Sequence, residues 1–79
     1  MTMSEPYPLP RAPLGRKVVV KIIRAGCEFR HRLASMGIRV GIEMEVLQGN
    51  GRGPLIVAVK GGRVAVGRGM AEGILVQES

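Results

Sequence analysis

Apolar and polar side chains alternate from residue 17 to residue 23, and this alternation predicts a first β-strand. Valine and isoleucine fill most of the segment, and branched aliphatic residues favour strands. Because successive strand side chains point to opposite faces, Val18, Val20 and Ile22 share one face and the lysines lie on the other. We therefore predict that these three residues lie in the core.

Helical spacing replaces this alternation after residue 26. Phe29, Leu33 and Met36 recur at i, i+4 and i+7, which predicts a helix from residue 27 to residue 36 with these three side chains against the core. Gly37 follows at once, where a helix commonly needs a residue that adopts positive φ. We therefore expect the helix to end at Met36 and the chain to turn there, with Gly41 supplying a second bend.

Four further strands are predicted between glycine-rich turns, at residues 43–48, 55–60, 63–66 and 74–76. Val57 and Val66 fall on inward faces of two of them. Gly61-Gly62 suits a two-residue turn and predicts an antiparallel hairpin, and one helical turn fits before the last strand. The fold class that this pattern favours is mainly β, a small SH3-like five-stranded barrel with one short α-helix after the first strand.

The first thirteen residues contain four of the five prolines and lack any apolar period. This composition predicts a flexible Pro-rich arm over residues 1–13 and a single domain over residues 14–79. A domain of this size has a small core. We therefore expect no deep active-site cleft.

The formal net charge is +6, from twelve basic and six acidic residues. The basic residues form no long run and glutamates lie among them, so the charge fits either a solvated surface or attraction to an acidic partner. The lone Cys27 excludes an internal disulfide and favours the cytoplasm. Apolar runs fall short of the roughly 20 residues that a membrane span needs, so no membrane insertion is expected.

Candidate catalytic and metal-binding groups are sparse. Cys27 and His31 stand at i, i+4, but a closed zinc site needs four ligands, so we predict no metal site and no cofactor. Glu43 and Glu45 share the outer face of a strand, the usual solvated arrangement. The glycine-rich residues 49–54 lack the Gly-x4-Gly-Lys-Ser/Thr spacing of a phosphate-binding loop. We therefore predict that the protein is not an enzyme.

The most specific motif spans the predicted helix end and the turn after it. Arg-Leu-x-x-Met-Gly-Ile-x-x-Gly runs from Arg32 to Gly41, and Gly-Pro-Leu-Ile-Val, Val-Ala-Val, Ala71 and Ile-Leu-Val follow in the same order and spacing as in FeoA domains. The chain resembles these small SH3-like proteins of the bacterial ferrous-iron uptake system over residues 14–76. Two departures are visible: the family tends to have a Leu-Arg pair where this chain has Val66-Gly67, and the Pro-rich arm has no obvious counterpart.

The resemblance implies a cytosolic accessory or regulatory protein that contacts the FeoB-type membrane transporter, whose soluble domain binds and hydrolyses guanine nucleotide. A related SH3-like module also forms part of some iron-dependent repressors. We expect the partner surface to include the charged residues nearest the helix, the turn and the glycine-rich loop, namely Arg30, Arg32, Arg39 and Arg52.

A second interpretation follows from the positive charge: a small basic barrel that binds RNA through its phosphate backbone. Single-strand binders stack bases on aromatic side chains, and this chain has only Phe29 and Tyr7. The sequence leaves open whether the domain also forms a homo-oligomer.

Overall fold

The computed structural model describes residues 5–24, 26–49 and 53–79. Across these residues, six antiparallel strands form one sheet: β1 (Tyr7–Pro8), β2 (Lys17–Ile23), β3 (Glu43–Gln48), β4 (Leu55–Val59), β5 (Gly62–Val66) and β6 (Ile74–Glu78). The sheet order is β1-β6-β2-β3-β4-β5, so β1 and β5 lie at its two edges. Helix α1 (Cys27–Ser35) follows β2, the short helix α2 (Arg68–Ala71) precedes β6, and a 3₁₀ turn at Leu9–Arg11 follows β1.

The central strand β2 pairs with β3 on one side and with β6 on the other, and a β-bulge interrupts the second pairing. Val20 lies opposite Val76, but Ile22 lies opposite Leu75, so one extra residue stands in β2 between them. The extra residue resets the alternation of faces. Ile23 is therefore buried and Ile22 is 43% exposed, and the prediction that Ile22 lies in the core is wrong.

The end of α1 has the geometry that the sequence predicts. Gly37 has φ +90°, its N–H donates to the Ala34 carbonyl at 2.9 Å, and the Ile38 N–H donates to the Leu33 carbonyl at 2.9 Å. This pair of bonds is a Schellman motif, in which a residue at positive φ lets two orphan helix carbonyls be satisfied. Leu33 and Ile38 are both fully buried. The predicted turn at Gly37 is confirmed.

The core is one cluster of buried side chains from the strands, to which the segments outside the sheet add Leu9, Ala12, Leu33, Ile38 and Ala71. Leu33 is the buried residue of α1, whereas Phe29 and Met36 are half-buried and pack against the core from its margin. All three side chains therefore contact the core, as the helical spacing predicts, but only Leu33 is fully buried. The other side chains predicted for the core are fully buried, namely Val18, Val20, Val57 and Val66.

The segment before β2 is part of the sheet and the core. Tyr7 pairs with Val76 and Pro8 with Leu75, so β1 extends the sheet as a sixth strand beyond β6. Leu9 is fully buried and Ala12 is 8% exposed. Proline is tolerated here because β1 is a short edge strand. The prediction of a flexible arm is therefore wrong from Tyr7 onward, and five strands become six; residues 1–4 lie outside the described residues.

The β4–β5 hairpin differs by one residue from the predicted turn. Val59 pairs with Gly62, so the two turn residues are Lys60 and Gly61, and Gly61 has φ +92°. Glycine at this φ avoids the steric cost that a side chain would add. The glycine-rich loop between β3 and β4 falls partly outside the described residues, because residues 50–52 are not among them.

Candidate docking surface

Basic side chains are concentrated between the end of β2 and the bend after α1. Residues 21–39 contain a single acid, Glu28, and five cations: Lys21, Arg24, Arg30, Arg32 and Arg39. All five cations are exposed. Within the described ranges, an ion pair joins Arg16 Nη1 to Glu78 Oε1 at 3.3 Å and involves none of these five residues. None of these five cations therefore forms an ion pair with a described carboxylate.

The two arginines of α1 point in different directions. Leu33 is the fully buried residue of the helix and marks its inward side. At about 100° per residue, Arg30 lies about 60° to one side of Leu33 and Arg32 about 100° to the other. Arg32 lines a shallow depression of about 340 Å³ with Gly26, Glu28 and Phe29. Arg30 and Arg32 thus flank the helix rather than form one patch.

Backbone hydrogen bonds hold Arg39 and its neighbours in a fixed bend against β2. The Gly41 N–H donates to the Val20 carbonyl at 2.8 Å, and the Val20 N–H donates to the Ile42 carbonyl at 3.0 Å. Gly41 has φ +96°, which accounts for glycine at this position. Arg39 is exposed and the neighbouring Val40 is 57% exposed. The fourth predicted arginine, Arg52, lies outside the described residues.

Arg68 does not supply a free cation beside Gly67, where the family tends to have a Leu-Arg pair. Its Nε donates to the Gly53 carbonyl at 3.2 Å, and the residue is half-buried. A guanidinium engaged with the backbone in this way braces the start of β4. Arg68 therefore has a structural contact, and the candidate surface centres on the β2 end, α1 and the following bend.

The sequence did not predict two exposed aliphatic residues of this surface, because apolar residues are normally assigned to the core. Ile22 and Val40 are large aliphatic side chains that lie substantially exposed, at 43% and 57%. For Ile22 the bulge is the reason. For Val40 a signal was present, since it follows the Gly37 turn and fits neither the helical period of α1 nor the alternation of β3.

The outer face of the sheet carries a second open groove, of about 380 Å³, lined on its polar side by Lys17, Glu43, Glu45 and Lys60. Glu45 lies opposite Lys17 in the β2–β3 register. Glu43 instead accepts a hydrogen bond at Oε2 from the Ser79 hydroxyl at 2.9 Å. The hydrogen bond to Ser79 involves Glu43 alone, so the two glutamates of β3 differ in their surroundings.

Within residues 5–24, 26–49 and 53–79, no three His, Cys, Asp or Glu side chains come together in a way that could hold a metal ion. Cys27 is an exposed free thiol, and His31 is exposed on the same helix. No described helix is long and apolar enough to cross a membrane.

Among the titratable groups in the described part of the chain, Tyr7 has a shifted pKa. Burial of its phenol raises the pKa above the ordinary value of 10.0, the Glu78 carboxylate adds to the rise, and Arg16 opposes it. The phenol oxygen is buried and has no hydrogen-bond partner among the described residues. Since Tyr7 lies on the edge strand β1, this shift reports how the N-terminal segment packs and not a reacting group.

The strand order, the helix after β2 and the Schellman turn define a small SH3-like β domain. The structural comparison agrees: a crystal structure of an iron uptake regulatory protein, FeoA, superposes with a TM-score of 0.88 and 35% identity, over 95% of this chain and 100% of that one. The chain belongs to the FeoA domain family, whose sequence pattern matches residues 7–78. The match begins at Tyr7, where β1 begins.

Two further relatives support this assignment at different levels. A Methanocaldococcus jannaschii protein named "Putative Fe(2+) transport protein A" is 45% identical over 73 residues, which cover 92% of this chain and 88% of that protein. A manganese-dependent transcriptional repressor is similar in structure, with a TM-score of 0.84 and 24% identity, over 98% of this chain and 43% of the repressor. The repressor shows that the same fold occurs as one part of a larger protein.

Proposed function

We propose that this chain is a non-enzymatic cytosolic accessory protein of ferrous-iron uptake, and that it acts by contact with the cytosolic part of an FeoB-type transporter. Membership of the FeoA family and the similarity to an Fe(2+) transport protein support the iron-uptake role. The transporter as partner and the mode of action are the proposed part.

The observation that carries a docking role is the set of exposed cations between residues 21 and 39, none of which forms an ion pair with a described carboxylate. Charges at the rim of an interface steer encounter with an oppositely charged surface and add less to affinity. Arg30, Arg32 and Arg39 would serve this purpose for an acidic partner. We extend the same role to Arg52 from its place in the sequence alone.

The RNA-binding interpretation rests on the net charge of +6. It lacks a stacking surface in the described structure, because Phe29 and Tyr7 are both half-buried against the core. A protein partner therefore fits the surface better than single-stranded nucleic acid does.

A pull-down with the tagged chain separates the two functions. Lysate is treated with nuclease, and capture is compared at low and moderate salt, with an Arg30→Glu/Arg39→Glu variant as the charge-reversed control. We expect the transporter to be recovered from nuclease-treated lysate by the wild-type chain and less by the variant, most clearly at low salt. Enrichment of nucleic acid alone, lost on nuclease treatment, would contradict the proposal.

A further inference from the structure

We propose that Ile22 and Val40, together with Lys21, Arg24 and Arg39, form the contact surface for an acidic partner protein; we name these five residues the Ile22–Val40 patch. The inference rests on the proposed function and says which part of the domain carries it. The partner it requires has an apolar anchor point within an acidic surface.

Backbone geometry brings the two halves of the patch together. The Gly41 N–H bonds to the Val20 carbonyl, so the bend that carries Arg39 and Val40 lies directly beside the bulged end of β2, which carries Lys21 and Ile22. The residue that donates this bond, Gly41, directly follows Val40, and the residue that accepts it, Val20, lies two positions before Ile22. Two exposed aliphatic side chains that are 18 residues apart in sequence therefore belong to neighbouring segments.

The third large exposed aliphatic residue, Leu14, lies apart from them. The N–H of the next residue, Gly15, donates to the Val46 carbonyl at 2.9 Å, at the opposite end of β2 from Ile22. At about 3.3 Å per residue along a strand, this separation is roughly 20 Å. Leu14, at 58% exposure, is thus a natural control of matched character.

The charges around the patch favour an acidic partner. Lys21, Arg24 and Arg39 are exposed next to the two aliphatic residues. Three acids lie close to these residues: Glu28, four residues after Arg24, and Glu43 and Glu72. Glu43 is held by the Ser79 hydroxyl, and Glu72 precedes Gly73, whose carbonyl accepts the Arg24 N–H at 2.8 Å. The five residues of the Ile22–Val40 patch themselves include three cations and no acid, so the patch is positive.

The two aliphatic side chains at the centre of the patch favour a protein over a nucleic acid as the binding partner. Phosphate contacts are made by charged and polar groups and gain nothing from exposed valine and isoleucine. An apolar centre with a charged rim is instead the usual arrangement of a protein–protein interface.

The test measures binding of the purified chain to the cytosolic part of the FeoB-type transporter from the same organism. We compare wild type, the double variant Ile22→Ser/Val40→Ser and the control variant Leu14→Ser by isothermal titration calorimetry. We expect the double variant to weaken binding about tenfold or more and the control by less than about twofold, since few central residues dominate an interface. Unchanged thermal midpoints would show that all three chains fold alike.

NMR mapping with the ¹⁵N-labelled wild-type chain gives an independent readout. Shift changes on adding the transporter domain should centre on Lys21, Ile22 and Val40 and spare Gly15. If the double variant binds the transporter domain as tightly as the wild type and Leu14→Ser do, or if the shift changes map elsewhere, the Ile22–Val40 patch is not the contact surface while the proposed function stands. If the wild type does not bind, the proposed function itself fails and the patch fails with it. Binding of RNA or anionic vesicles through these residues would also overturn the inference.

Discussion

Replacement of Leu33 by alanine tests how α1 is held against the sheet. Leu33 is fully buried, while the two other apolar residues on the same side of the helix, Phe29 and Met36, are only half-buried. The packing of α1 against the core therefore depends mainly on the Leu33 side chain. Its backbone carbonyl also accepts the Ile38 N–H in the Schellman turn, but alanine keeps that bond.

The expected loss is large relative to the stability of the domain. Truncating a fully buried leucine to alanine costs about 2 to 5 kcal/mol, from the lost transfer of apolar surface and from the cavity that remains. A domain of 79 residues, at roughly 0.05 to 0.15 kcal/mol per residue, is stable by about 4 to 12 kcal/mol. Leu33→Ala should therefore remove from about a sixth to all of the free energy of unfolding.

Urea unfolding followed by far-UV circular dichroism measures this change, because the chain has no tryptophan. The matched control is Arg30→Ala on the same helix, where an exposed side chain should cost within about 0.5 kcal/mol. A loss below about 1 kcal/mol for Leu33→Ala, with the urea dependence unchanged, would refute the view that this residue anchors α1.

Two further predictions concern the turn and the N-terminal strand. Gly37→Ala should cost about 1 to 2 kcal/mol in urea unfolding because φ is +90° at this position. The new Cβ would lie an ordinary 3.7 Å from Val59 Cγ2, so the cost comes from backbone conformation and not from a clash. The control is Gly69→Ala, at an open position without positive φ. A loss equal to that of the control would contradict this reasoning. Tyr7 has a raised pKa in the folded state, so its contribution to stability is fully present below pH 10, the pKa of the unfolded chain, and is lost as the pH rises through the folded value. Between pH 9 and pH 11, wild type should therefore lose more stability than the Tyr7→Phe variant. Because Tyr7 is the sole tyrosine, the absorbance titration of its phenol measures the pKa directly. Equal losses of stability in the two proteins would count against a buried phenol.

The features of this protein that arise from local interactions were predictable from the sequence. The end of α1 depends on one glycine and on hydrogen bonds between residues at most five apart, and the strands after it depend on alternation within five or six residues. These signals stand side by side in the chain. The order of motifs that resembles FeoA domains is a pattern of the same kind, and the family match confirms it.

Features that depend on contacts between distant segments were decided by the tertiary structure alone. The residues before β2 have no period of their own, yet β1 pairs with β6 almost 70 residues later and Leu9 enters the core. The bulge that exposes Ile22 arises where β2 must pair with β6, and the bend that presents Val40 is held by β2. Because such pairings are set by the packing of the whole sheet, a stretch of sequence read by itself cannot show which aliphatic side chains reach the surface.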